Sequence, residues 1–145
     1  MIFERSVTTD WEGGLMDGTG VAKAGTGAFS LPVSFPSRIG EPAGKTSPEE
    51  LMAAAHAACF AMALNAALGK KSAKAKKTHV TATVSADKGD AGIKIVSSKL
   101  KVVVEGLEGM TPAEFSTFVK EADKGCPVSN AYRGTMQIEV EGSAK

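Results

Sequence analysis

A single apolar stretch constrains the fold of this 145-residue chain more than any other feature. Between Leu51 and Leu68 only His56 and Asn65 are polar, and alanine is the commonest residue. Such a segment predicts a long helix. Because its surface is apolar nearly all round, we expect the helix to be buried nearly all round at the centre of the fold.

The ends of this helix carry local signals. Ser47 is a suitable N-cap, Pro48 fits the first helical position, and Glu50 stands three residues after Ser47, where it would close a capping box. Gly69 is typical of the residue that ends a helix. The sequence therefore predicts a helix from Pro48 to about Leu68.

The length of the apolar stretch reaches the lower limit for a membrane span. We nevertheless expect no membrane span, because alanine is only weakly apolar and two polar side chains interrupt the stretch. One small chain has too little surface to cover such a helix on every side, and alanine permits helices to approach closely. We therefore predict a homodimer in which the central helices pack together and are wrapped by sheet.

The rest of the chain indicates an α+β fold. Alternating residues predict a strand over His79–Ala86, and a longer strand is expected over 92–105. Thr111 and Glu114 form the ends of a second capping box. We predict one domain, residues 1–145, in the order βββ–α–ββ–α–β. The other predicted elements are short strands near residues 4–9, 19–23 and 28–33, a loop over 35–45, a second helix ending at Gly125, and a strand over 135–141.

Charge and composition exclude some classes of function. The formal net charge is +1, which leaves no overall positive field for a dedicated nucleic-acid-binding protein. The first residues lack the pattern of a signal peptide, so we expect a cytoplasmic protein. The basic run over 70–77 is interpreted as a solvated linker, with a docking patch for an acidic protein partner as the alternative.

The chain has two cysteines, Cys59 in the middle of the long helix and Cys126 just after the second helix. Their spacing alone leaves three interpretations open. Both cysteines can be small buried hydrophobic residues. They can contribute to a zinc site, in which His56 and Cys59, three residues apart on one helix face, form a usable pair of ligands. His79 and Cys126 would have to complete that site, and no close pair of ligands anchors these two. They can also carry redox chemistry.

Redox chemistry needs an activated thiolate, a cation beside it and a second thiol. A nearby arginine lowers the pKa of a thiol, and a sulfenic acid condenses with a neighbouring thiol to form a disulfide. Arg38, in the loop before the long helix, is the expected cation, because its charge does not change with pH. Cys126, at a Gly-Cys-Pro corner that we expect to be flexible, is suited to move.

A carboxylate would orient such an arginine. At about 100° per residue, Glu49 lies nearer the Cys59 side of the helix than Glu50 does. Ten residues of straight helix span about 15 Å, however, so one arginine does not link Glu49 to Cys59 of the same straight helix. Either the helix kinks, or Glu49 serves Cys59 of a second subunit. The second option agrees with the predicted dimer and places composite active sites at its interface.

These residues also occur in motifs of a known family. The stretch from Thr46 to Leu64, with its AAHAACF run, resembles the central-helix signature of the OsmC/Ohr family, named for osmotically inducible protein C and organic hydroperoxide resistance protein. Gly125–Ser129 is similar to its second-cysteine motif, and the resemblance extends over nearly the whole chain. The AAHAACF run and the position of Arg38 directly before the helix favour the OsmC branch.

The resemblance implies a cysteine-dependent peroxidase that reduces organic hydroperoxides, and hydrogen peroxide more slowly. It implies an intertwined homodimer with active sites at the subunit interface. Cys59 would be the peroxidatic thiol, Cys126 the resolving thiol, and Arg38, oriented by Glu49, would hold the thiolate. No cofactor is implied, and the expected reductant is a dithiol such as a dihydrolipoyl group on another protein. His56 is interpreted as structural. A non-catalytic thiol redox sensor and a zinc-binding dimer are the alternatives.

Overall fold

The structure, a computed structural model, describes residues 1–145 and confirms the α+β fold with two sheets and a long helix. Two short helices that were not predicted, α1 and α4, are added to the expected order. The elements are β1 Val7–Glu12, β2 Thr19–Ala24, β3 Ser30–Val33, α1 Phe35–Ile39, α2 Pro48–Lys70, β4 Lys77–Gly89, β5 Gly92–Glu105, α3 Pro112–Ala122, a 3-10 turn Asp123–Gly125, α4 Pro127–Tyr132 and β6 Gln137–Ala144.

The chain separates into two compact units, Met1–Leu51 and Met52–Lys145. The prediction of a single domain over residues 1–145 stays a prediction. The first unit contains an antiparallel sheet in the order β1-β2-β3. Gly20 of β2 lies opposite Trp11 of β1, and a Cβ atom at residue 20 would come within 2.8 Å of the indole ring. Glycine at this position therefore lets the ring lie flat across the neighbouring strand.

The segment after β3 was expected to be a loop, and that expectation is wrong for its first part. Residues Phe35–Ile39 form α1. Ser34 is the N-cap, and its hydroxyl accepts a hydrogen bond from the Ser37 backbone N–H at 3.3 Å. A helix this short has no apolar periodicity, and the two prolines and two glycines of residues 35–45 indicate a loop instead.

The second unit packs α2 and α3 against a three-stranded sheet. The sheet has the order β4-β5-β6, with β4 and β5 antiparallel and β5 and β6 parallel. Its core combines large side chains of α2, β5 and α3. The main members are Phe60, Leu64, Leu68, Leu100, Val102, Val104, Phe115 and Val119.

The helix caps agree with the sequence analysis in one case and only partly in the other. At α3 the Thr111–Glu114 capping box is confirmed, with bonds of 2.7 and 3.2 Å. At α2 the Ser47 hydroxyl accepts a hydrogen bond from the Glu50 N–H at 3.1 Å. The Glu50 carboxylate does not close the predicted box, because it accepts a hydrogen bond from the Thr46 hydroxyl at 2.8 Å.

The expectation that α2 is buried nearly all round is not met within this chain. Only every fourth residue, from His56 through Phe60 and Leu64 to Leu68, is fully buried. The opposite side carries alanines and Met62, which is 73% exposed. By length and composition this one helix also fits a membrane span, a test that the core helix of a soluble protein passes equally well.

Candidate active site

The second unit brings the two cysteines together. Cys59 is half-buried on α2, and Cys126 is fully buried at the N-cap of α4. The Cys126 thiol is close enough to Cys59 to raise the pKa of the Cys59 thiol. Both thiols are free in this structure. The Gly-Cys-Pro corner forms the start of a short helix, and its flexibility stays a prediction.

The start of α4 directs two backbone N–H groups at the two sulfurs. The Ser129 N–H donates to the Cys126 Sγ at 3.5 Å, and the Val128 backbone N–H lies near the Cys59 sulfur and lowers the pKa of its thiol. Pro127, at the first position of the helix, has no N–H to offer. The first free N–H groups of α4 therefore lie beside the two sulfurs.

The electrostatics of Cys59 within one chain favour the thiol form. Burial raises the pKa of the Cys59 thiol, the hydrogen bond from the Val128 backbone lowers it, and the neighbouring Cys126 thiol raises it again. The net direction is upward. The thiolate is the nucleophilic form, so a peroxide-reactive Cys59 needs a positive charge beyond the groups that surround it in the second unit.

The first unit brings Arg38 and Glu49 together as a fork-like ion pair. Arg38 Nη2 donates to Glu49 Oε1 at 2.7 Å, and Arg38 Nε donates to the two carboxylate oxygens at 3.1 and 3.2 Å. The side chains are 26% and 15% exposed. Burial works to raise the pKa of Glu49, but the hydrogen bonds from Arg38 and its charge outweigh burial and lower it. Glu49 is therefore ionised at neutral pH and fixes the plane of the guanidinium group.

An apolar pocket of about 320 Å³ lies beside this ion pair in the first unit. Arg38 is the only charged residue in its wall. The other lining residues are Thr9, Trp11, Leu15, Ala22, Val33, Ser34, Phe35, Pro48 and Leu51. Such a pocket suits a hydrocarbon group attached to a small polar or anionic end. No local sequence pattern indicates this pocket, because its walls come from β1, β2, β3, α1 and the start of α2.

His56 is a buried histidine with a hydrogen-bonding partner at each ring nitrogen. Its Nδ1 lies 2.6 Å from the Ser98 hydroxyl and its Nε2 lies 2.6 Å from the Ser129 hydroxyl, with all three side chains fully buried. Burial lowers the pKa of His56, the Asp123 carboxylate works in the opposite direction, and Arg133 lowers it further. The ring is therefore neutral at pH 7.

This arrangement bears on the zinc alternative. Both ring nitrogens of His56 are engaged by serine hydroxyls. His79 instead lies 3.1 Å from the Glu105 carboxylate on the neighbouring strand. No group of three or more histidine, cysteine or acidic side chains is arranged to hold a metal ion. The four residues considered for a zinc site are therefore not assembled as one.

Comparison with known proteins gives concordant results. A family model described as OsmC-like protein matches residues 40–141. Peroxiredoxin OsmC of Escherichia coli strain K12 is 35% identical over 144 residues, covering 97% of this chain and 98% of the relative. The organic hydroperoxide resistance protein of Xanthomonas axonopodis pv. citri is 35% identical over 117 residues, or 78% of each chain. The crystal structure of an organic hydroperoxide resistance protein from Elizabethkingia anophelis superposes with a TM-score of 0.75 at 27% identity, covering 100% of both chains.

Proposed function

The chain belongs to the OsmC-like family, and on that premise we propose that it is a thiol-dependent peroxidase that reduces organic hydroperoxides, and hydrogen peroxide more slowly. The observation that carries the proposal is the proximity of Cys59 and Cys126, because a sulfenic acid formed on one thiol condenses with a second thiol nearby to form a disulfide. The names of the relatives, a peroxiredoxin and an organic hydroperoxide resistance protein, support the same class of reaction.

The reaction proceeds through three balanced steps. The Cys59 thiolate attacks one oxygen of the peroxide, the O–O bond breaks, and the alkoxide leaves and is protonated to the alcohol. Cys59 is thereby oxidised to a sulfenic acid. The Cys126 thiol then attacks the Cys59 sulfur, and water leaves as the disulfide forms. A dithiol reductant reopens the disulfide by thiol–disulfide exchange.

Arg38 supplies the positive charge that Cys59 needs. Because α2 is one uninterrupted helix, the separation of about 15 Å between Glu49 and Cys59 along it argues against a bridge within the chain. We therefore assign Arg38 and Glu49 to the Cys59 of a second protomer in a composite site. A guanidinium group beside the sulfur lowers the pKa of the thiol and opposes the effect of burial.

The exposed side of α2 supports the homodimer that this composite site requires. An apolar helix face with alanines and Met62 in water is unfavourable in a free monomer, and small side chains let two such helices pack closely. We expect sedimentation at micromolar concentration to show a particle of twice the 14.9 kDa chain mass. A species of single-chain mass under those conditions would contradict the dimer.

The apolar pocket beside Arg38 supports organic hydroperoxides as substrates. Its aromatic and aliphatic walls, including Trp11 and Phe35, would hold the alkyl group, and Arg38 would face the peroxide end. Phe60, which is in the core, and Met62, which is exposed on α2, do not line this pocket. We propose a cytoplasmic location and recycling by dihydrolipoyl groups on another protein.

Replacing Cys126 with serine separates the two chemical steps. In Cys126→Ser the first reduction of cumene hydroperoxide should keep its rate to within about threefold, because Cys59 still attacks the peroxide. The sulfenic acid then has no resolving partner and should accumulate, measured as a dimedone adduct on Cys59. In the wild type the adduct should be scarce, because Cys126 consumes the sulfenic acid.

Three results would count against this proposal. Loss of the first peroxide reduction in Cys126→Ser would mean that Cys126, and not Cys59, attacks the peroxide. Oxidation of the wild type by peroxide with no turnover when dihydrolipoamide is added would favour the non-catalytic thiol sensor. Stoichiometric zinc binding in equilibrium dialysis would favour the zinc-binding dimer.

A further inference from the structure

The buried contacts of His56 link three elements of the second unit. The ring lies on α2, Ser98 lies on β5, and Ser129 lies on α4. Buried polar groups are costly unless they are hydrogen-bonded, and here each ring nitrogen has a hydroxyl partner at 2.6 Å. In the neutral ring one nitrogen donates and the other accepts, so the two serines take opposite roles.

The contact with Ser129 reaches the cysteine pair directly. The backbone N–H of the same residue donates to the Cys126 Sγ at 3.5 Å. A second tie lies beside it. The Tyr132 ring packs edge-on against the His56 ring, with 5.3 Å between the ring centroids. The Tyr132 hydroxyl donates a hydrogen bond to the Met52 carbonyl at 3.0 Å. The segment that begins α4 and carries Cys126 is therefore tied to α2 by two contacts, one from Ser129 to the His56 ring and one from the Tyr132 hydroxyl to the Met52 carbonyl.

We propose that His56 is a positioning residue which, through Ser129, holds the start of α4 so that the Cys126 sulfur meets Cys59, and which thereby sets the rate of disulfide closure. Its place in a peroxidase cycle rests on the proposed function. The positioning itself concerns only the two thiols, so it can be tested without peroxide. A displacement of about 1 Å at a reacting pair costs up to about a hundredfold in rate.

The test uses an aromatic disulfide, 5,5′-dithiobis(2-nitrobenzoate), at one equivalent per chain in stopped flow. The half-buried Cys59 attacks the reagent and releases one nitrothiobenzoate anion in a bimolecular phase. Cys126 then attacks the Cys59 sulfur of the mixed disulfide and releases the second anion as the intramolecular disulfide forms. This second phase is independent of reagent concentration and reports closure alone.

Two conservative variants of the same residue form a matched pair. The amide of His56→Asn occupies the region of Nδ1 and reaches Ser98, whereas the amide of His56→Gln occupies the region of Nε2 and reaches Ser129. Ser129→Ala and Ser98→Ala remove the corresponding hydroxyls one at a time. Thermal unfolding of each variant records its loss of stability separately from its kinetics.

The proposal predicts that His56→Asn and Ser129→Ala slow closure by at least about tenfold, while His56→Gln and Ser98→Ala stay within about threefold of the wild type. The first, bimolecular phase should stay within about threefold in all four. Closure that is unchanged in all four variants would overturn the positioning role. Closure that slows in His56→Gln and Ser98→Ala as much as in His56→Asn and Ser129→Ala, in proportion to the stability that each variant loses, would also overturn it. Failure of the peroxidase proposal is visible separately, as thiols that close with the aromatic disulfide but do not react with peroxide.

Discussion

Turnover of cumene hydroperoxide with dihydrolipoamide is expected to fall by at least about a thousandfold when Cys59 is replaced by serine. The serine hydroxyl is not ionised at neutral pH and forms no sulfenic acid, so neither the attack on the peroxide nor the disulfide remains possible. The measurement is loss of the hydroperoxide over time at fixed protein and dithiol concentrations.

The matched control is Ala63→Ser, one turn further along α2. Ala63 and Cys59 are both partly buried and packed against the same core, so this variant introduces the same hydroxyl on the same helix without removing a thiol. It should retain turnover to within about threefold, since a partly buried hydroxyl changes stability more than chemistry. Equal rates for the wild type and Cys59→Ser would contradict the role of Cys59.

Removal of the Arg38 charge should have the second-largest effect. An adjacent cation lowers the pKa of an acidic group by about one to three units, so Arg38→Ala should reduce the thiolate fraction of Cys59 at neutral pH by ten- to a hundredfold or more. Without the Arg38 charge the pKa of the Cys59 thiol rises. Because the thiolate is the reactive form, the profile of rate against pH then moves to higher pH. The measurement is the rate of iodoacetamide alkylation of Cys59 as a function of pH.

Glu49→Gln and Arg5→Ala complete this experiment. Glutamine keeps one acceptor for Arg38 but loses the charge that fixes the guanidinium group, so a smaller shift in the same direction is expected. Arg5 is an exposed arginine of the same unit and serves as the control, with no expected shift. An unchanged pH profile in Arg38→Ala would mean that Arg38 and Glu49 are only a structural ion pair.

Local signals accounted for much of the fold. The capping box at Thr111 and the strand Gly92–Glu105 were predicted because a few neighbouring residues determine them. The short helices α1 and α4 were missed because fewer than two turns leave no apolar periodicity. The carboxylate of Glu50 was predicted to accept a hydrogen bond from the Ser47 backbone N–H, which is the usual partner in a capping box. It accepts one from the nearby Thr46 hydroxyl instead.

Only some contacts of the candidate site could be predicted from the sequence. The pairing of Arg38 with Glu49 was predictable, because the two lie eleven residues apart around one helix start. The contacts of His56 were not, because Ser98 and Ser129 lie 42 and 73 residues away along the chain. A histidine in an apolar helix favours a structural interpretation until the polar partners from other elements are known.

The central claim is that Cys59 and Cys126 form one peroxide-driven redox pair. Its most direct test is to treat the reduced wild-type protein with one equivalent of cumene hydroperoxide, without dithiol, and then count thiols and map peptides by mass spectrometry. The proposed mechanism predicts loss of both thiols, one alcohol released per chain, and a single peptide pair joined between Cys59 and Cys126 with the loss of two hydrogens. Retention of both thiols, or oxidised Cys59 with Cys126 still free, would contradict it.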